Sequence, residues 1–262
     1  MNSSRPPESK MLAGWRVLVP RGGKWGDAAA VALRAFGATA VIAPMINFAS
    51  TEQPEQLADA LRRLGSGTFD WVVITSATTV DVMTSQQAVV PDTTRIAVIG
   101  ETTAPALAMA GYRTPDFVPE GDNSVRGLLK EWAATGDRGR VLVLQSDVAE
   151  PALVSGLAGL DTEFVSAYRT VGVPVSPQVA EDVSSGRIQA ILIPSGSVAR
   201  QVRDQLAPLP AETIVACIGP RTAFDARAAG LTVHLIAESR SIPSLAEAVA
   251  EHARAHPLSG EG

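Results

Sequence analysis

Cysteine and histidine are scarce in this sequence, and their scarcity excludes several kinds of site. The 262 residues include one cysteine, Cys217, and three histidines, His234, His252 and His256. One cysteine permits neither an internal disulfide nor a zinc site made of several thiolates. The histidines all lie towards the C-terminal end, and no serine–histidine–aspartate order of a nucleophilic hydrolase stands out. An enzyme of this composition would work with hydroxyl groups, backbone amides and a few cations.

The sequence also lacks long apolar runs, an excess of positive charge and the glycine motifs of nucleotide sites. No stretch reaches the roughly 18 consecutive apolar residues of a membrane-spanning helix, and the N-terminal segment is polar. The net charge of −5 and the pI near 5.3 leave no general basic surface for nucleic acid. Neither G-x-G-x-x-G nor a Walker A motif is present, and Gly22-Gly23-Lys24 is at most an anion-binding nest. We therefore expect a cytoplasmic protein with no nucleic-acid or membrane partner.

An internal repeat with an offset of 119 residues is the strongest feature that the sequence does contain. The sixteen residues at 96–111 recur at 215–230, and seven of the sixteen pairs are identical. Ile74 and Ser76 recur with the same offset as Ile193 and Ser195. Two separate motifs that share one offset indicate two related halves, each about the size of a small domain.

Both repeated motifs have the pattern of a strand followed by a helix. Trp71-Val72-Val73-Ile74 is a short apolar run, typical of a strand buried on both faces of a parallel sheet. Ser76 then supplies a hydroxyl at the position of a helix N-cap. In open parallel sheets, ligands bind at the carboxyl ends of strands, where helix N-termini present free N–H groups. These junctions are the expected site, and the alternative for any one hydroxyl is that it only caps a helix.

Strands and helices alternate along the rest of the chain, which predicts an α/β fold with two doubly wound parallel-sheet domains. A strand–helix–strand unit that starts at Arg16 is echoed by one that starts at Arg140, 124 positions later. Proline-marked extended segments follow both units, at residues 44–49 and 169–174, and we expect them to be paired linker strands. Residues 1–13 are expected to form a disordered leader.

Several of these segments together resemble the motifs of a known family. Thr75-Ser76-Ala77-Thr78-Thr79-Val80 is similar to a T-S-x-x-x-V segment, and residues 99–104 and 218–223 are similar to G-x-x-T-A segments. Val19-Pro20-Arg21 resembles an arginine that ends a first strand, and Tyr168-Arg169-Thr170 resembles a Y-R-T that precedes a linker. In this order and spacing, from about Leu12 to Ala255, the chain resembles the uroporphyrinogen-III synthases.

The resemblance implies a reaction and a domain arrangement. Members of the family close the linear tetrapyrrole hydroxymethylbilane to uroporphyrinogen III, invert ring D through a spiro intermediate and use no cofactor. Their two α/β domains face each other across a cleft and are joined by a two-stranded linker, and one domain is discontinuous. The corresponding domains here are residues 14–44 with 174–256, and residues 49–169. We expect the chain to act as a monomer on this small-molecule substrate of haem biosynthesis.

The substrate carries eight carboxylates, so the resemblance implies that this acidic protein places local donors around it. Tyr168 is the expected catalytic residue, because a phenol can donate a hydrogen bond to the departing hydroxyl while it stays neutral. The alternative role for Tyr168 is aromatic packing beside a hinge. The expected substrate-binding residues are Arg21, Lys24, Thr75, Ser76, Thr103, Ser195, Ser197, Arg221 and Thr222, with no metal ligand.

A non-catalytic protein of the same fold is the second hypothesis. Such a bilobal module would bind a ligand or regulate a larger assembly without closing the tetrapyrrole. Fresh hydroxymethylbilane distinguishes the two functions, because only an active synthase raises the type III isomer above the type I isomer that forms spontaneously.

Overall fold

The chain forms two compact units. The computed structural model describes residues 11–100, 102–136, 138–148, 151–157 and 159–256. Unit 1 comprises residues 1–47 and 171–262, and unit 2 comprises residues 48–170. Within the described segments, no helix is long and apolar enough to cross a membrane.

Strands and helices alternate through both units. The strands are β1 (Arg16–Val19), β2 (Thr39–Ile42), β3 (Ile46–Ser50), β4 (Trp71–Ile74), β5 (Arg95–Val98), β6 (Arg140–Ser146), β7 (Asp161–Gly172), β8 (Ala190–Ile193), β9 (Ile214–Cys217) and β10 (Leu235–Ile236). The helices are α1 (Gly23–Ala35), α2 (Pro54–Gly65), α3 (Ala77–Ser85), α4 (Thr103–Met109), α5 (Val125–Thr135), α6 (Pro151–Gly156), α7 (Pro177–Ser184), α8 (Gly196–Leu206), α9 (Pro220–Ala228) and α10 (Ile242–Ala255).

The sheet of unit 1 has the strand order β10-β9-β8-β1-β2, with parallel pairing throughout. The chain runs outwards in one direction from β1 to β2 and in the other from β8 to β10. The order therefore reverses between β1 and β8, where Val17 pairs with Ala190 and Leu18 with Ile191. Such a reversal opens a crevice at the carboxyl ends of the two strands, which is the usual ligand site of a doubly wound sheet.

The sheet of unit 2 has the order β3-β7-β6-β4-β5, and β4, β5, β6 and β7 pair in parallel. Its order reverses between β4 and β6, where Ile74 pairs with Leu144. Phe117 adds a single parallel bridge to Ala97 beyond β5. Unit 2 therefore has the same kind of reversal as unit 1, at the carboxyl ends of β4 and β6.

Each sheet is buried on both faces because alternate residues of its strands enter two different cores. In unit 1, Val17 and Val19 pack with Leu33 of α1 and with α10, whereas Leu18 packs on the opposite face with α8 and α9. In unit 2, Val72 and its alternates face α2, α3 and α4, and the other face packs against α5 and α6. These layers confirm the predicted fold class, an α/β protein with two parallel-stranded sheets.

The repeat seen in the sequence recurs in the hydrogen bonds of the two units. The Thr94 hydroxyl donates to the Phe69 carbonyl at 2.7 Å, and Thr213, 119 positions later, donates to Ile188 at 3.2 Å. The backbone N–H of Arg140 donates to Asp70 at 2.7 Å. In the same way, the N–H of Arg16 donates to Gln189 at 2.8 Å, and Gln189 is 119 positions beyond Asp70. The halves are thus related in their detailed bonding as well as in their strand pattern.

The expected leader is wrong at its C-terminal end. Residues 1–10 lie outside the described residues, but Leu12 is fully buried in the core of unit 1, and its N–H donates to the Phe36 carbonyl at 2.8 Å. The segment around Leu12 therefore belongs to the fold, because its apolar side chain covers the end of α1.

A buried carboxylate ties the N-terminal segment of unit 1 to its C-terminal half. Asp182 of α7 accepts hydrogen bonds from Arg16 of β1 at 2.6 Å, from Gln178 at 2.8 Å and from Arg187 at 2.9 Å. These donors, with Arg16 the largest contributor, lower the pKa of Asp182 from 3.8 to about 2. The ionised form is therefore favoured in the folded state.

We predict that Asp182→Asn removes part of the acid sensitivity of unit 1. Because the folded pKa lies below the unfolded one, the carboxylate contributes stability above pH 4 that is lost as the pH falls from about 4 towards 2. Urea unfolding between pH 7 and pH 2 should show a steeper loss in the parent chain than in the variant. Asp81→Asn, at an exposed position of α3, is the control and should keep the parent profile. Identical profiles for all three chains would contradict the prediction.

Candidate active site

Ser76 and Tyr168, both predicted as site residues, are in direct contact at the carboxyl edge of unit 2. Ser76 is the N-cap of α3, and its Oγ accepts the N–H of Thr79 at 3.1 Å. The same Oγ lies 3.0 Å from the Thr79 hydroxyl and 3.0 Å from the Tyr168 phenol oxygen. Three hydroxyl groups therefore form one hydrogen-bonded row where β4 ends and α3 begins.

A β-bulge in β7 turns Tyr168 towards this row. Gln145 pairs with Ser166, but the next residue, Ser146, pairs with Tyr168, so Ala167 is the extra residue of the bulge. Ala167 and Tyr168 consequently both pack into the core beneath α2 and α3, although consecutive strand residues normally face opposite sides. Without the bulge, alternation would direct the phenol towards the other face of the sheet, away from Ser76.

Tyr168 is largely enclosed, with 8% of its surface exposed. The Phe48 ring meets the Tyr168 ring edge to face, with centroids 5.2 Å apart. Arg169, which follows it, donates to the Ser50 carbonyl at 3.1 Å and pairs with Glu52 at 2.7 Å. The tyrosine–arginine–threonine motif thus fixes β7 beside β3 and holds the phenol in a restricted position.

Thr75 and Thr103, two further predicted site residues of unit 2, direct their hydroxyl protons inwards. The Thr103 hydroxyl is fully buried and donates to the Ile99 carbonyl at 2.6 Å. Thr75 donates to the Leu144 carbonyl at 3.4 Å. Both hydroxyls therefore hold strand ends in place, and a direct contact between either of them and a substrate stays a prediction.

The turn after β5 depends on Gly100. Its φ of +94° lies in the left-handed region, and a Cβ there would lie 3.2 Å from the Thr103 hydroxyl oxygen. The N–H of Gly100 donates to the Asn123 side-chain oxygen at 2.7 Å. The glycine, Thr103 and Asn123 together close this junction, which makes it a rigid part of the edge.

In unit 1, Arg21 and Lys24 lie where β1 ends and α1 begins. Gly22 is the N-cap of α1 and provides no side-chain cap, so the first N–H groups of the helix remain available to an anion. Arg21 is half-buried, and a Cβ at Gly26 would overlap its carbonyl oxygen, so the glycine lets α1 pack close to the strand end. Lys24 is exposed in the first turn of α1.

Asp225, a residue that the sequence analysis missed, bonds Arg221 and lies against the backbone between Ser195 and Ser197. The Ser197 hydroxyl accepts a hydrogen bond from Arg200 at 3.2 Å. Asp225 of α9 lies against Gly196, where a Cβ would be 2.6 Å from the carboxylate. Arg221 bonds the same carboxylate at 3.2 Å, at helical i, i+4 spacing. That spacing was a signal in the sequence that could have identified the pair. Asp225 partly neutralises Arg221, so Arg221 offers an anionic ligand less charge than its sequence position suggests.

Within the described residues, the hydroxyls of Ser195 and Thr222 have fewer hydrogen-bond partners than the corresponding hydroxyls of unit 2, those of Ser76 and Thr103. Ser195 caps α8 by accepting the Val198 N–H at 3.4 Å, which leaves its own proton free to donate. Thr222 is 119 positions beyond Thr103 and is also buried, but no hydrogen bond engages its hydroxyl within the described part of the chain. Thr222 can therefore donate a hydrogen bond to a ligand, whereas the hydroxyl of Thr103 already donates to a backbone carbonyl.

We predict that Ser76→Ala destabilises the protein more than Ser195→Ala does. Each variant loses a helix N-cap, at a cost of about 1 kcal/mol. Ser76→Ala also removes the hydrogen bond to Tyr168, which should cost about 1 kcal/mol more. The free energy of unfolding in urea measures the difference. Ser195→Ala is a matched control because unit 1 contains no tyrosine, and equal losses would show that the Ser76–Tyr168 contact adds no stability.

Comparison with known proteins agrees with this architecture. A family model described as HEM4, uroporphyrinogen-III synthase HemD, matches residues 27–247. No curated protein matches the chain. A uroporphyrinogen III synthase variant from Thermus thermophilus is 19% identical, with a TM-score of 0.64 over 91% of this chain and 98% of its own. A uroporphyrinogen-III synthetase from Helicobacter pylori is 14% identical, with a TM-score of 0.59 over 91% of this chain and 99% of its own.

At these identities the two structures show a shared fold, whereas the family model spans most of the sequence and includes nearly all of the predicted site residues. Lys24 and Arg21 lie just before its first residue. The chain belongs to the uroporphyrinogen-III synthase family, whose members are cyclising lyases of haem biosynthesis.

Proposed function

We propose that the chain closes hydroxymethylbilane to uroporphyrinogen III and that Tyr168 donates the hydrogen bond that assists loss of the substrate's hydroxyl group. Family membership supports the reaction. The 3.0 Å contact between Ser76 Oγ and the Tyr168 phenol is the observation that supports the role of Tyr168. The phenol is enclosed, oriented by a neighbouring hydroxyl and located where doubly wound sheets bind ligands.

The row of hydroxyls can direct the phenol proton away from Ser76 and towards the substrate. Ser76 Oγ has two lone pairs, which accept the N–H and the hydroxyl of Thr79. Its own proton is then donated to the Tyr168 oxygen, and the Tyr168 proton points away from Ser76. Hydrogen bonds in such a row polarise one another, which strengthens the last donor.

The departing hydroxyl needs a donor because hydroxide is a poor leaving group. The nitrogen of the terminal pyrrole that carries the hydroxymethyl group supplies the electron pair that expels the hydroxyl, which leaves as water with the added proton. Ring D, at the other end of the substrate, then attacks the resulting cation. A proton is lost again when the rearranged ring closes, so the overall change is the loss of one water. A neutral phenol fits this step because it donates strongly without bringing a charge near the cationic intermediate.

Unit 1 supplies the groups that suit the carboxylates of the substrate. Arg21, Lys24 and the uncapped N-terminus of α1 lie together after β1, and the available hydroxyls of Ser195 and Thr222 follow β8 and β9. Cations and helix N–H groups are the usual partners of carboxylates. These contacts restrict the conformations of the flexible linear tetrapyrrole. Ring inversion then depends on positioning, because the folded substrate closes before the unrearranged isomer forms.

Three further expectations stay predictions: monomeric action, a cytoplasmic location and a reaction that needs no cofactor. The non-catalytic alternative is tested by the same assay as the proposed reaction. Mixing the protein with fresh hydroxymethylbilane should raise the proportion of type III product well above the spontaneous mixture. A product that is entirely type I, from a chain that is folded, would favour the non-catalytic module.

We predict that Tyr168→Phe slows formation of uroporphyrinogen III by about 30- to 1,000-fold. Loss of one hydrogen-bond donor at a developing charge removes about 2–4 kcal/mol of transition-state stabilisation. Single-turnover formation of the type III isomer, corrected for spontaneous closure, is the measurement. The control is Tyr112→Phe, because the Tyr112 phenol donates to the Ala88 carbonyl at 2.9 Å and lies outside the candidate site. An unchanged rate in Tyr168→Phe would remove the proposed donor and leave substrate folding as the explanation of catalysis.

We predict that Arg21→Gln raises KM about tenfold and changes kcat little. A charge-assisted hydrogen bond to a substrate carboxylate is present in both the ground state and the transition state, so its loss weakens uniform binding. The effect should shrink in high salt, which screens exposed charges. Arg34→Gln, an exposed change at the other end of α1, is the control and should leave KM near the parent value. A drop in kcat with unchanged KM would instead place Arg21 in the chemical step.

A further inference from the structure

Unit 1 contains a cavity of about 580 Å³ at the end of its sheet opposite to the candidate active site. It lies at the amino ends of β9 and β10, between the loop at 207–211 and the loop at 230–232. Arg203, Thr232 and His234 line it together with apolar residues that include Leu209 and Leu231, and no carboxylate is among the lining residues. Its volume falls in the range of roughly 300–1,000 Å³ that is usual for small-molecule sites.

In unit 2, the side chain of Tyr112 occupies the place that corresponds to this cavity. Leu231 corresponds to Tyr112, because each N–H donates to the fifth residue before it, the Ala226 and the Leu107 carbonyl respectively, at 3.0 Å. The Tyr112 phenol reaches across and donates to the carbonyl of Ala88, the counterpart of Ala207. In unit 1 the shorter Leu231 leaves that space open.

The polar and charged residues around this place also differ between the two units. Arg203 takes the position of Thr84, which lies in hydrogen-bonding contact with Tyr112 in unit 2. His234 takes the place of Asp116, since each side chain accepts a backbone N–H of the adjacent strand, from Val215 at 3.0 Å and from Ile96 at 2.7 Å. In unit 2 the charges of this corner are balanced, because Asp116 pairs with Arg113 at 2.6 Å, whereas in unit 1 Arg203 and His234 line a cavity.

This corner offers two hydrogen-bond donors to a ligand, the guanidinium of Arg203 and the ring N–H of His234. A backbone N–H can only donate, so Nδ1 of His234 accepts from Val215 and the proton of the neutral ring resides on Nε2. Burial lowers the pKa of His234, which favours this neutral form. Arg203 forms no ion pair or hydrogen bond within the described residues, and its Nε would lie 3.3 Å from a Cβ at Gly230, on the loop that bounds the cavity.

We propose that this cavity binds a small organic anion, with the anionic group on Arg203 and the Nε2–H of His234 and the apolar part against Leu209 and Leu231. A guanidinium and a neutral N–H donor select a carboxylate or a phosphate, and the apolar walls select a ligand with a hydrocarbon or aromatic body. The site is independent of the proposed cyclisation, because its residues lie at the amino ends of strands whose carboxyl ends carry the candidate active site.

The imidazole signals of the three histidines report binding directly. Titration with phenyl phosphate, benzoate and inorganic phosphate should shift the His234 signals saturably with the two aromatic anions. Inorganic phosphate, which has no apolar part, should bind at least about tenfold more weakly. The relative affinity of phenyl phosphate and benzoate then decides whether the site prefers phosphate or carboxylate.

Two variants test the assignment to this cavity. Leu231→Tyr introduces the side chain that fills the corresponding place in unit 2 and should abolish binding, and Arg203→Gln should weaken it at least about tenfold. Arg254→Gln removes an exposed cation from α10 and should bind like the parent chain. All variants should form uroporphyrinogen III at the parent rate.

The proposal is overturned if no probe shifts His234 saturably up to millimolar concentrations. It is also overturned if a folded Leu231→Tyr protein or Arg203→Gln protein binds like the parent. Should Arg203→Gln lose both anion binding and cyclisation, the claim of an independent site fails. Loss of cyclisation in the Tyr168 variant alone bears only on the proposed reaction, so the two conclusions are tested separately.

Discussion

The parallel pairing of β1 with β8 is the interaction on which the rest of unit 1 depends. It joins Val17 to Ala190 and Leu18 to Ile191, residues that are far apart in sequence, and all four of these side chains are buried. Asp182 strengthens the same junction through Arg16. Because β1 is an interior strand, its removal would expose the edges of both neighbours and divide the sheet.

Because of this pairing, the two halves that repeat in the sequence are not the two units that form in the structure. In sequence, each half consists of a strand–helix–strand unit followed by a longer run of alternating helices and strands. In the structure, the first strand–helix–strand unit (β1, α1, β2) joins the second long run, and the second such unit (β6, α6, β7) joins the first. Each sheet therefore reverses its strand order where the two kinds of segment meet. Each reversal creates an edge within its own unit, where the predicted site residues of that unit lie.

The sequence alone predicts the fold class because its strongest signals are local. Apolar β-branched runs and hydroxyl caps are patterns of a few residues, and the repeat shows the same patterns again 119 residues later. The strands β4, β5, β8 and β9 all lie where these patterns indicate. The alternation of strands and helices then requires parallel sheets. Which strand–helix–strand unit pairs with which run is a long-range choice, and the expectation of a discontinuous domain came from the family resemblance.

The site was predictable only in part, because its contacts join residues that are far apart in the sequence. Ser76 and Tyr168 were both named from motifs, but their contact depends on a bulge at Ala167 that no local pattern indicates. Asp225 was missed although it stands at helical spacing from Arg221, because a carboxylate repels the substrate's carboxylates and so does not belong to the predicted set of donors. The inward direction of the Thr103 hydroxyl depends on a backbone carbonyl of the preceding turn, and the cavity beside Arg203 emerges only when the two units are compared.

The divergence of the two halves suits a reaction that passes through a cation. Both tyrosines of the chain lie in unit 2, and the carboxyl edge around Tyr168 presents neutral hydroxyls, while the nearby Arg169 is paired with Glu52. The predicted cations of the site, Arg21, Lys24 and Arg221, all belong to unit 1. A cation beside the phenol would lower its pKa and would also oppose the positive charge that develops on the pyrrole that loses the hydroxyl. In the proposed reaction, the edge of unit 2 keeps a neutral proton donor, and the edge of unit 1 provides charge for carboxylates that do not react.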